Sequence, residues 1–244
     1  MNWDKLNSTE EINLEEIENA LIKNRELERY VKFVLGKSDI TSDDLVDVKE
    51  IILDSKNFHK QGNYVYFEDL KLFPNLKSIR LFNLGIGKNE IEIMKTNNKI
   101  EELSLNNCSL YDGLENLKKI KSVSITNSII ECIDDFKSLN NLEEVVIENS
   151  KFDNYEFLKD IKKLKRLYFM NMDGKELEKI PELEKLEFLS LCGIDTFKSD
   201  DLNKFKNLKT LSIGKDELGA FSEVLNSIEQ KGIKIFVEDA YDGI

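Results

Sequence analysis

The single histidine, His59, lies in KNFHKQGNY with no nucleophile motif beside it. Imidazole-based acid–base or metal chemistry needs partner groups at defined spacing, and the flanking residues supply none. Cys108, Cys132 and Cys192 stand 24 and 60 residues apart, which suits neither a disulfide framework nor a CxxC motif, so they read as reduced packing residues. GIGK, from Gly85 to Lys88, lacks the GxxxxGKS/T spacing that cradles a phosphate. The acidic pairs Asp134 and Asp135, Glu143 and Glu144, and Asp200 and Asp201 do not follow a calcium-loop pattern. With 47 acidic residues in the chain, such pairs are expected on solvated faces. No catalysis, no cofactor and no metal are the expectation.

Recognition chemistry is better represented. Glu144, Val146 and Glu148, then Arg166, Tyr168 and Met170, then Phe188 and Cys192 alternate along three segments that start 22 residues apart. Aromatic, Met and Arg side chains dominate interface hot spots, so a repeating element that set these residues side by side would make a binding surface.

The chain supplies that element. LKSIRLFNLGI from Leu76, IEELSLNNCSL from Ile100, IKSVSITNSII from Ile120 and LEEVVIENSKF from Leu142 are copies of one pattern. LKRLYFMNMDG from Leu164, LEFLSLCGIDT from Leu186 and LKTLSIGKDEL from Leu208 continue it, with a looser VKEIILDSKNF from Val48 before and GIKIFVED after. The last four steps are 22 residues each and the one before is 20. Positions one, four and six are apolar, as in the LxxLxLxxN/CxL pattern of leucine-rich repeats, and one such unit cannot bury its own apolar face. Alternation at positions four and six predicts a short strand with one buried side.

Between strands, apolar residues recur every third position (Ile133, Phe136, Leu139; Leu158, Ile161, Leu164; Leu177, Ile180, Leu183), which predicts short helical or 3₁₀ returns. The fold expected is an α/β leucine-rich-repeat solenoid, with a curved parallel sheet on the concave face and short helices on the convex face. Asn83, Asn107, Asn127, Asn149 and Asn171 hold position eight of consecutive copies; Asn tolerates a left-handed backbone and suits the turn leaving each strand.

One continuous domain is expected in three parts: residues 1–47 as a helical N-terminal cap, 48–217 as repeats, and 218–244 as a capping helix and strand. Asn13 with Glu16 opens the first cap helix, before Leu14, Ile17 and Leu21; Leu27, Val31, Val34 and Leu35 form the next stripe, ended by Gly36. Thr41 with Asp44 caps the next turn. Phe221, Val224, Leu225 and Ile228 predict the last helix.

These repeats, with LERYVKFVLGKSDITSDDLVDVKEIIL (residues 27–53) and EDLKLFPNLKSIRL behind it, resemble a bacterial leucine-rich-repeat protein of the internalin type. The first segment resembles the helical cap of that family, and the 22-residue repeat is typical of it. The resemblance implies recognition of a protein partner on the concave sheet, and export to the cell surface as an adhesin.

Composition bears on the partner. Thirty-five basic and 47 acidic residues leave a net charge of -12, the wrong sign for nucleic acid or an anionic membrane and the right one for a protein partner with a basic face. The N-terminus as written shows no basic start followed by an apolar run, so a cytoplasmic protein is expected. It is expected to be a monomer and, in the sharper version, an inhibitor or immunity protein for a basic toxin or enzyme.

Positions three, five and seven of each strand should line the concave face. One contiguous patch would then hold Val146, Arg166, Tyr168, Met170, Phe188 and Cys192, with Glu144 and Glu148 at its edge. The alternative is that these side chains only pack over the sheet. Ser104, Ser122, Ser124 and Thr126 would form a small polar floor beside it.

Overall fold

The computed structural model describes residues 20–58 and 67–238; Asn13, Leu14, Glu16, Ile17 and His59 lie outside them. The repeats stack into one nine-stranded, all-parallel sheet. Its strands are β1 (Glu50–Asp54), β2 (Ser78–Phe82), β3 (Glu102–Asn106), β4 (Ser122–Thr126), β5 (Glu144–Glu148), β6 (Arg166–Met170), β7 (Phe188–Ser190), β8 (Thr210–Gly214) and β9 (Lys234–Glu238). Neighbours in space are neighbours in sequence, because each return segment is only long enough to reach the adjacent position.

Register is constant from end to end. Position three of every copy faces position three of the next, from Glu50 and Ser78 through Glu144, Arg166 and Phe188 to Thr210 and Lys234. Apolar positions one, four and six form the core: Leu164 is 3% exposed, and Leu167 and Phe169 are 0% exposed. A slip of one residue would turn these side chains to solvent, so burial itself fixes the register.

The returns are short, as the three-residue apolar spacing predicts. Ile133–Ser138 is a 3₁₀ helix, while Phe157–Asp160 and Gly174–Glu178 are single α-turns. Gly85–Ile86, Ser109–Leu110 and Ile129–Ile130 pair as a second small sheet beyond the asparagine turns. GIGK is thus half strand and half helix start, and the Glu90 carboxylate accepts the Gly87 amide at 2.9 Å, filling the helix N-terminus with the chain's own acid.

At the N-terminal end, α1 (Arg25–Leu35) is capped by Asn24, whose Oδ1 accepts from the Leu27 amide at 3.1 Å, and is closed by left-handed Gly36. Its buried face is Leu27, Tyr30 and Val31. Val34 is instead 48% exposed, and Leu21 is exposed while Ile22 enters the core. The helix presents a narrower stripe than its sequence suggested. Asp44 accepts from both the backbone and the side chain of Thr41, at 2.8 and 2.9 Å. At the far end α2 (Ser222–Gln230) buries Leu225 and Ile228 before β9.

The concave face as a candidate protein interface

Asparagine turns make the concave columns regular. Asn83, Asn107, Asn127, Asn149 and Asn171 all have φ between 46° and 58°, the left-handed region that Asn tolerates better than most residues. Gly193, with φ 74°, takes the same place in the next copy. At position nine, Cys108, Ser128 and Ser150 are linked from one repeat to the next by hydrogen bonds. Ser128 Oγ accepts the Cys108 amide at 2.9 Å and Ser150 Oγ accepts the Ser128 amide at 3.0 Å. Each buried amide is thereby satisfied by the next repeat.

On the scaffold so built, Glu144, Arg166 and Phe188 face one another across β5, β6 and β7, and Val146 faces Tyr168. Arg166 Nε lies 2.7 Å from Glu144 Oε2, and Ser122 donates to the other oxygen of that carboxylate at 2.9 Å. Glu144 is the main cause of the raised Arg166 pKa. The rings of Tyr168 and Phe188 meet at 5.0 Å between centroids and 43° between planes, within the range of favourable aromatic pairs. Burial, then the Glu144 charge, pushes the Tyr168 phenol up, keeping it neutral. Both rings remain partly exposed. Glu148 Oε1 accepts from Asn171 Nδ2 at 2.8 Å.

Two expected surface residues are covered. Met170 is 1% exposed and Cys192 is 7% exposed, so neither offers a partner more than a sliver of surface. Met170 faces Glu148, which the Asn171 amide holds in place. Strand β7 ends at Ser190, after which the Cys192 thiol sits 3.3 Å from Ser190 Oγ and 3.6 Å from a Glu238 carboxylate oxygen. Glu238 reaches back from β9 and also accepts from Ser212. Ser190 and Ser212, at position five, are each 0% exposed. The sequence pattern missed this roof because a carboxylate 46 residues away supplies part of it.

No described cysteine is poised as a nucleophile. Burial raises all three thiols, Cys192 to about 11 and Cys132 to about 12, and the thiol is a far weaker nucleophile than the thiolate. On the convex side, ligand oxygens of Asp112, Glu115 and Asp135 come within 4.8 Å of one another, a convergence their spacing did not reveal; acidic groups alone specify no ligand.

Charge patterning at position two also escaped the sequence reading. Lys77, Glu101, Lys121, Glu143, Lys165, Glu187 and Lys209 alternate in sign from one repeat to the next. Lys121 bonds Glu101 at 2.9 Å and Lys209 bonds Glu187 at 2.8 Å. Position two had only to be read down the stack.

No protein-family model matches the chain, and no curated protein matches it by sequence. Among solved structures 108 chains match. The crystal structure of an internalin C2 from Listeria monocytogenes aligns with 91% of this chain and 96% of its own, at 20% identity and a TM-score of 0.57. The TLR13–ssRNA13 complex aligns with 72% of this chain but only 27% of its own, at 15% identity and a TM-score of 0.52. With its parallel sheet, short returns and capping helix, the chain has the leucine-rich-repeat solenoid fold that internalin C2 also has.

Proposed function

We propose that this protein binds another protein through its concave sheet and performs no catalysis, with Tyr168 and Phe188 at the centre of the site. The supporting observation is the ring pair itself: two aromatic side chains in tilted contact, partly exposed on the parallel sheet. Such a pair brings large contact area at low entropic cost, as hot-spot residues do. Val146 and the Arg166–Glu144 ion pair frame it, with Glu148 at its edge. Met170 and Cys192, on the same face but covered, contribute little surface to a partner.

Charge favours a basic partner. The concave columns carry Glu50, Asp54, Glu102, Glu144, Glu148 and Glu238 against Arg80, Arg166 and Lys234. TLR13 appears with a single-stranded RNA, but here a phosphate backbone would meet this excess of carboxylates. Inhibition of a basic enzyme or toxin is the sharper form of the reading, and steered association would make its on-rate fall with salt.

Affinity capture from the native cell, with the wild-type chain and a Tyr168→Ala/Phe188→Ala variant side by side, tests the site. Each anchor should contribute about 2 kcal/mol, so the folded double variant should lose the captured protein. Undiminished capture by that variant would place the interface elsewhere.

A further inference from the structure

The open edge of the sheet carries a second, independent surface. Strand β9 pairs with β8 on one side only, and among the described residues nothing pairs with its other side. Beside the exposed Lys234, it shows two large apolar side chains: Phe236 is 56% exposed and Val237 is 38% exposed. An unprotected apolar edge strand is a template for another strand.

We infer that β9 pairs with β9 of a second copy of this chain, antiparallel about a two-fold axis at Phe236. The sequence KIFVE is self-complementary in that arrangement. Lys234 would face Glu238 of the second copy, Ile235 would face its Val237, and the two Phe236 side chains would meet on the axis. Opposite charges and aromatic pairs directly across two strands stabilise the pairing.

Backbone direction agrees with this register. The Lys234 amide donates inward to the Lys209 carbonyl at 2.9 Å. Alternation along a strand therefore turns the N–H and C=O groups of Ile235 and Val237 outward. In an antiparallel ladder the hydrogen-bonded pairs are those whose groups face each other, and Ile235 opposite Val237 is such a pair, occurring twice about the axis. Phe236 then falls at a non-hydrogen-bonded pair, where side chains approach most closely. Glu238 already accepts from Ser212, yet a carboxylate has further lone pairs for Lys234 of the second copy. The contact is isologous and closes at two copies, with both concave faces on the same side of one extended sheet.

Sedimentation equilibrium of the full chain reads the association directly. Wild type should show a concentration-dependent dimer. Lys234→Glu sets like charges opposite each other twice per dimer and should weaken it roughly tenfold. The Lys234→Glu/Glu238→Lys exchange restores opposite signs and should recover it. Because Glu238→Lys also removes the Ser212 contact, a second measurement stands apart from it: Phe236→Cys, oxidised mildly, should form a disulfide-linked dimer that the parent chain does not form. A wild-type chain monomeric at every concentration, a dimer indifferent to Lys234→Glu, or a Phe236→Cys chain that does not cross-link would each overturn the inference.

Discussion

The side-chain amide of Asn107 donates to Oδ1 of Asn83 at 2.6 Å, joining two residues that both hold a left-handed backbone. Asn83 in turn donates to Asp54 at 2.7 Å, and Asn149 donates to Asn127 further along. The residue that allows the turn thus also ties it to its neighbour. This separates two roles that a single substitution would confuse.

Asn107→Gly should keep the turn and lose only the side-chain bond, at about 1 kcal/mol. Asn107→Ala loses the bond and strains the backbone as well, for a total of about 2 kcal/mol. Urea unfolding of the two variants checks the order; an alanine variant as stable as the glycine variant would show that left-handed geometry is not what holds Asn there.

Gly174 is required by contact, since its φ is not left-handed. A Cβ there would lie 2.0 Å from the Thr196 carbonyl oxygen and 2.8 Å from its Cγ2. The Gly174 amide is drawn onto Asp195 at 2.7 Å, so the helix start cannot easily retreat. Gly174→Ala should destabilise by about 2–3 kcal/mol. Gly219→Ala, whose Cβ would meet nothing within 4 Å, is the control. Equal melting temperatures for the two would refute the close approach.

Asp44 should mark the cap in acid. The Lys37 ammonium beside it, then the Thr41 amide and hydroxyl, hold its carboxyl down from 3.8 to about 2. A depressed folded-state pKa contributes stability that is present above the ordinary carboxylate range and is lost as pH falls through the folded value. The stability gap between wild type and Asp44→Asn should therefore narrow as pH falls from about 4 towards about 2. An NMR titration of the Asp44 carboxyl with an ordinary midpoint would contradict it.

Repeat period, strand positions, the apolar core and the asparagine turns were all legible in the amino-acid sequence, because each depends on residues within one 22-residue copy and on stacking that repeats it. The concave columns were legible for the same reason: constant register carries position three onto position three, from Glu144 to Arg166 to Phe188. Local pattern was weaker at the cap, where Tyr30 packs inward and Val34 does not. An apolar stripe states which residues can be buried, not how wide a surface waits for them.

Tertiary structure alone decided which concave side chains a partner can reach. Alternation assigns Tyr168, Met170, Phe188 and Cys192 to the same face. Whether a side chain there stays accessible depends on the length and direction of its neighbours on adjacent strands. Tyr168 and Phe188 meet at a tilt and remain partly open, whereas Cys192 lies beside Glu238, which bonds Ser212 and belongs to a strand 46 residues on. Periodicity sets the face a residue points to; coverage of that face is a many-body property that exists only once the strands are assembled.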